Sequence, residues 1–138
     1  MNKKLSISCS KSNLLKIRQF VTDILASYHV QELEAHKIIL AVDEVCANLI
    51  IHSNNCNPNH KIEVEIKHPS TSKFIFIIRD SGISFNYKAY HEPSIEDIIS
   101  SKRKGGVGLM LVKRIMDEVE FSKDKNCNIC RLTKKIGS

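Results

Sequence analysis

Glu44, Asn48 and His52 fall four residues apart within IILAVDEVCANLIIHS, residues 38–53, a stretch of helical length without Gly or Pro. That spacing stacks the three side chains along one line of a helix. Ile38, Val42, Val45 and Leu49 make one apolar stripe beside the line, and Ile39, Cys46 and Ile50 make a second. Leu40, Ala47 and Ile51 form a third. A helix apolar on so many sides is buried on most of them, and buried polar groups need partners or a wet cavity. The polar line therefore faces a pocket or, as the same spacing also permits, a solvated edge.

The second half of the chain weighs on that choice. None of the five glycines precedes Gly82, and apart from Gly137 they fall in two segments, DSGISF at 80–85 and GGVG at 105–108. Glycines so concentrated answer a need for positive φ or for close approach to the backbone. Gly105-Gly106-Val107-Gly108 opens a helical pattern, so unpaired N–H groups and the positive end of a helix dipole converge there, an arrangement that holds phosphate. A flexible loop before a helix has the same composition. Neither the dinucleotide GxGxxG nor the P-loop pattern is matched. Asp80 closes a strongly apolar run. A carboxylate at a strand end can accept from an exocyclic amine such as adenine N6, or simply cap a turn.

The elements that must position these groups can be read from periodicity. Leu5, Ile7 and Cys9 alternate with Ser6 and Ser8 in a half-buried strand, and Ser10 or Ser12 is placed to cap the next element. Leu14, Ile17, Val21, Ile24 and Leu25 keep helical spacing over Asn13–Tyr28, and a break at 28–30 leads into the central helix from Glu32 to Ser53. Residues 54–60 are a polar loop. Ile62, Val64 and Ile66 alternate with charged residues over Lys61–Lys67, a strand with one wet face. After a turn at 69–72, Lys73–Arg79 is nearly all apolar, as a strand buried on both faces would be. Residues 83–104 are irregular, with a short helix at most after Ser94. Val107–Val119 has an apolar helical face, and Glu120–Lys123 with Asn128–Lys135 makes a last hairpin. The order β-α-α-β-β-loop-α-β-β points to an α/β sandwich, a mixed and mostly antiparallel sheet covered by helices on one face.

A chain of 138 residues, 42% hydrophobic and 26% charged, fits a single domain with one core. No apolar run approaches membrane-spanning length and the N-terminus has no signal-peptide pattern, so the expected compartment is the cytoplasm, without a membrane role. The net charge of +6 permits an acidic partner, but the lysines are scattered and few aromatics interleave with them, so direct nucleic-acid binding is not expected. Cysteines at 9, 46, 56, 127 and 130 are odd in number and read as free thiols. Cys127 and Cys130 match CxxC, but three residues along an extended strand turn side chains to opposite faces, which argues against zinc.

Taken together, Glu44-x-x-x-Asn48, Asp80-x-Gly82 and Gly106-x-Gly108 resemble, in order and spacing, the N box and the two glycine boxes of the Bergerat-fold (GHKL) ATPases. That superfamily includes gyrase and the histidine kinases. The form DSGISF and the run GGVGLMLVKRIMDEVEF further resemble the anti-sigma factor serine/threonine kinases. The resemblance covers essentially the whole chain and implies a Bergerat fold with ATP and Mg²⁺ as cofactors. It implies Glu44 as general base, Asn48 as Mg²⁺ ligand, and Asp80 as acceptor from adenine N6 with Gly82 letting the base sit close. Lys104, Gly105, Gly106, Val107, Gly108 and Leu109 would cradle the phosphates, and residues 94–105 would form a mobile lid on which Lys102, Arg103 and Lys104 neutralise γ-phosphate charge. His52 would be structural. Ser84 replaces a glycine found in many superfamily members, though serine is frequent in the anti-sigma kinases. No phospho-acceptor dimerisation helix or transducer domain is expected in a chain of this length.

The implied function is phosphorylation of Ser or Thr on a STAS-domain anti-anti-sigma partner, with binding of a sigma factor and assembly as a homodimer. The alternative is an ATP-binding partner-switching module without phosphotransfer. A basic nucleic-acid-binding domain is the third reading and rests on net charge alone.

Overall fold

The computed structural model describes residues 2–53, 59–80, 104–124 and 127–136. Among the described residues five strands, β1 (Asn2–Ser8), β2 (Lys61–Ser70), β3 (Lys73–Asp80), β4 (Glu118–Asp124) and β5 (Cys127–Lys135), form one sheet in the order β1-β2-β3-β5-β4. The described helices are α1 (Asn13–Ser27), α2 (Glu32–Ala47) and α3 (Lys104–Ile115). The sandwich with helices on one face holds, and every pairing among the described strands is antiparallel.

Strand alternation explains the single covered face. Ile62, Val64 and Ile66 of β2, Phe74, Phe76 and Ile78 of β3, and Leu132 of β5 are buried in one core. Ile17, Val21 and Leu25 of α1, Ile38 and Val42 of α2, and Val112 of α3 complete it. On the opposite face Ile75 and Ile77 are still only 6% and 7% exposed. Their cross-strand neighbours are the long side chains of Lys67, Glu65 and Arg131, together with the β-branched Thr133. Arg79 adds ion pairs to Glu63 at 2.9 Å and Glu65 at 3.1 Å. The strand is thus buried on both faces as its sequence implies, though the described helices cover only one.

Several boundaries differ from the periodicity. Ser12 occupies the N-cap of α1 without a side-chain cap bond; its hydroxyl pairs with that of Ser10 at 2.9 Å. Asn13 instead ties the turn by donating to the Ser8 carbonyl at 2.9 Å. At the other end of α1 the His29 amide donates to Ala26 and the Val30 amide to Leu25, a Schellman closure with His29 in the left-handed region at φ 57°. β2 runs on to Ser70, with a register irregularity between Lys67 and Ser70 where Pro69 has no N–H to offer the ladder. α3 starts three residues before Val107 and stops at Ile115 rather than Val119. Asp117 takes over there: its amide donates to the Thr133 carbonyl at 2.9 Å and its carboxylate accepts from the Lys135 amide, which draws the chain into β4.

Candidate functional site

The central helix does not continue to Ser53 as an α-helix. Its α-helical part ends at Ala47 and residues Asn48–Ser53 form a π-helical turn. Asn48 marks the switch. Its main-chain amide and its side-chain Nδ2, at 2.8 Å, both donate to the Glu44 carbonyl one turn back. A side chain that occupies the i−4 carbonyl competes with the main-chain ladder, and the next residues take wider spacing. Such π-helical insertions are frequent at functional sites. With Nδ2 committed, Oδ1 is the atom left to the 8%-exposed Asn48 side chain for another partner. A neutral oxygen acceptor held in a buried place fits a hard cation.

Glu44, half-buried one turn earlier, is held above the ordinary range of a glutamate, first by burial and second by the negative charge of Asp43. Asp43 is itself paired with Arg18 of α1, at 2.7 and 3.4 Å, so its field is partly offset. In a carbon-13 NMR titration of the metal-free protein, the Glu44 carboxyl is expected to ionise above the ordinary value of about 4.3. Asp43→Asn is expected to move its midpoint down, because one of the two causes is then gone. An unmoved midpoint would show that Asp43 has no influence. His52 lies in the π-helical turn, with its side chain outside the described residues.

Asp80 ends β3 and is 1% exposed. Its two carboxylate oxygens accept from Asn128 of β5, Oδ1 from the main-chain amide at 3.2 Å and Oδ2 from Nδ2 at 3.3 Å. The register sets Asp80 opposite Asn128, and Lys123 of β4 opposite Asn128 in turn. Phe121 of β4 pairs with Cys130, two residues along β5 from Asn128, and so shares the sheet face of Asn128 and Asp80. From strand spacing and rise, the Asp80 and Phe121 Cα atoms are roughly 12 Å apart. Asn128 was not among the residues singled out from sequence. It sits at a helix-facing position of β5 followed by Cys130 and Leu132, and a polar residue opening that apolar alternation is the signal that could have marked it.

A hollow lies between the elements, lined by Val45, Asn48 and Leu49 of the central helix, Leu109 of α3 and Phe121 of β4. The fold therefore brings Asn48 and Leu109 together over the sheet end that carries Phe121, on the same sheet face as Asp80. Lys104, Gly105, Gly106 and Val107 are the first four residues of α3, whose amide groups have no intrahelical partner, and Gly108 follows them within the helix. No described glycine has positive φ. Of the two needs that glycine concentration signals, close approach by another group remains. The side chains of 104–108 lie outside the described residues, as do Gly82, Ser84 and residues 94–103 of the lid expected over 94–105; its last two residues, Lys104 and Gly105, belong to α3 instead of a loop. Among the described residues no cluster of His, Cys, Asp and Glu could hold a metal ion, and no helix is long and apolar enough to cross a membrane.

The family profile described as "Histidine kinase-like ATPase domain" matches residues 7–134. The chain belongs to that family. Membership implies ATP binding and agrees with the sandwich. The chain is similar to the serine-protein kinase RsbW of Halalkalibacterium halodurans, 31% identical over 102 residues that cover 70% of this chain and 59% of the relative. RsbW of Bacillus pumilus is 28% identical over 107 residues, covering 74% of this chain and 65% of the relative. RsbW of Staphylococcus aureus is 31% identical over 101 residues, covering 70% and 63%. The matched part thus spans about three-fifths of these curated relatives. The fold is shared with the RsbU and RsbW domains of Rv1364c from Mycobacterium tuberculosis, with a TM-score of 0.70 at 12% identity over 97% of this chain and 32% of that one. A chain of the SiaB–SiaC complex from Pseudomonas aeruginosa has a TM-score of 0.65 at 13% identity, over 97% of this chain and 89% of that one.

Proposed function

We propose that this chain is an ATP-dependent serine/threonine protein kinase of the anti-sigma type, which phosphorylates a STAS-domain anti-anti-sigma partner and binds a sigma factor, working as a cytoplasmic homodimer. The observation that carries the reading is the Glu44–Asn48 pair: an amide whose nitrogen is tied to the Glu44 carbonyl and whose oxygen is left for a cation, one turn from a carboxylate with an elevated proton affinity. Mg²⁺, when bound, neutralises charge on the phosphates as the transferred group departs. Asn48 would hold that ion through Oδ1. Asp80, oriented by Asn128, would accept from adenine N6 beside Gly82. Lys104, Gly105, Gly106, Val107, Gly108 and Leu109 would receive the phosphates at the start of α3. Glu44 would take the hydroxyl proton as the Ser or Thr oxygen bonds to the γ-phosphorus and the bond to the β–γ bridging oxygen breaks, with ADP leaving.

A protein acceptor would dock on the exposed face of α2. Leu33 and Leu40 stand 62% and 43% exposed, seven residues apart and on the helical line that continues to Glu44. Exposed leucines leading to a general base suit a folded protein substrate better than a small molecule. Leu33→Asp with Leu40→Asp is expected to lower phosphotransfer to the partner about tenfold or more, the scale of losing interface anchors, while ATP affinity by calorimetry stays unchanged. Equal transfer by the variant would place the docking face elsewhere.

The direct test is incubation with γ-labelled ATP, Mg²⁺ and candidate STAS proteins. Label appearing on a partner Ser or Thr is the expected result. ATP binding without transfer to any such partner would favour the regulatory module that switches partners without chemistry. Salt-sensitive DNA binding without ATP binding would replace both.

A further inference from the structure

Lys134 lies near the end of β5 opposite Phe74, on the helix-covered face. Its ammonium donates to the main-chain carbonyl of Ile115 at 2.8 Å and pairs with Glu34 Oε1 at 3.1 Å. Ile115 is the last residue of α3 and Glu34 lies in the first turn of α2. One cation thus occupies a carbonyl that the end of α3 leaves without an intrahelical donor. It also complements the negative end of that helix dipole, while Glu34 complements the positive end of α2. The Lys134 side chain is 14% exposed and that of Glu34 25%, so each charge depends on the other.

The contact has a consequence at the opposite end of the helix pair. Glu34 and Ile115 meet at one end; Asn48 and Leu109 line one hollow toward the other. α2 and α3 therefore run antiparallel, with the site at the end away from Lys134. The helix rise puts the first turn of α3 about 16 Å from Ile115 and Asn48 about 21 Å from Glu34. Two helices pinned at one end keep a fixed axial offset at the other. Without the pin, apolar packing around Val45 and Leu109 still holds them together, but no polar contact fixes their axial offset at the Lys134 end.

We infer that Lys134 is a positioning residue for the nucleotide phosphates. It sets the offset between α2 and α3 so that the Asn48 oxygen and the amides opening α3 address the same phosphate group. The inference rests on the nucleotide-binding reading above. Adenine recognition, in that reading, sits on the sheet at Asp80 and Asn128 and does not pass through α3, so the two ends of the ligand separate the effect.

The test is calorimetry with Mg²⁺-ATP and with adenosine on the wild type, Lys134→Met, Lys134→Arg and Glu34→Gln. Lys134→Met is expected to weaken Mg²⁺-ATP about tenfold, the scale of losing an outer-shell partner, and adenosine less than about twofold. Lys134→Arg keeps a cation on both partners and is expected to restore Mg²⁺-ATP affinity to within about threefold. Glu34→Gln, which spares the bond to Ile115, is expected to fall between wild type and Lys134→Met. It carries the same test should circular dichroism show Lys134→Met unfolded. Equal losses for both ligands would reduce Lys134 to a fold-stabilising residue and overturn the inference, as would no loss for either. A wild type that binds neither ligand would remove the nucleotide reading itself, and the inference with it; a wild type that binds both with variants unchanged removes the pin alone.

Discussion

Glu44→Gln is expected to lower label transfer from ATP to the partner by a hundred- to ten-thousandfold, the range assigned to a positioned general base. On the rate scale that is about 3–5 kcal/mol of barrier. Nucleotide affinity should stay within a few-fold. The bond that presents Asn48 uses the Glu44 main-chain carbonyl rather than its carboxylate, so the substitution leaves that arrangement in place. Glutamine matches glutamate in shape but cannot take a proton. Burial, and secondarily the charge of Asp43, raise the proton affinity of Glu44, the direction that favours a general base. Single-turnover transfer alongside calorimetry separates the two quantities. Unchanged transfer by Glu44→Gln would remove Glu44 from the chemistry, and the base would have to be sought elsewhere or dispensed with.

The sequence exposes some of this site and hides the rest for identifiable reasons. Glu44 and Asn48 are legible because an amphipathic period makes a polar line in an apolar helix conspicuous, and Asp80 because it interrupts an apolar strand at its end. The π-helical switch at Asn48 is not legible. It depends on which way one amide side chain turns, and the residue types after it, Leu49 to Ile51, fit an α-helix equally well. The start of α3 at Lys104 is concealed by glycine, whose low helix propensity argues for a later start. Its end is concealed because the apolar period runs on to Val119, while Asp117 leaves the helix for bonds to Thr133 and Lys135. Asn128 and Lys134 escape detection most completely. Their partners Asp80 and Ile115 are 48 and 19 residues away, and only strand register and helix packing bring them together.

Asp80→Asn should uncouple adenine recognition from the rest of the site. In the wild type both carboxylate oxygens accept from Asn128, so the group is held in one orientation inside a nearly closed environment. An acceptor fixed in this way favours a base bearing an amine at the facing position over one bearing a carbonyl. ATP is accordingly expected to bind at least about a hundredfold tighter than GTP, since the wrong base leaves buried polar groups unpaired. Asparagine in place of Asp80 brings an NH₂ against the Asn128 donors or turns one toward the adenine amine; either way one buried donor loses its acceptor. That costs about 1–3 kcal/mol, read both as weaker ATP binding and as a lower thermal midpoint. The discrimination between ATP and GTP should narrow by at least about tenfold in the same variant, because the amide offers guanine a donor that the carboxylate does not. Asn128→Ala provides the companion measurement. It leaves the carboxylate in place but unheld, so ATP affinity should fall by less than in Asp80→Asn while the preference for ATP survives. If Asp80→Asn lowers the thermal midpoint but leaves the ATP-to-GTP ratio where it was, the Asp80–Asn128 pair holds the sheet end together and the base is read elsewhere.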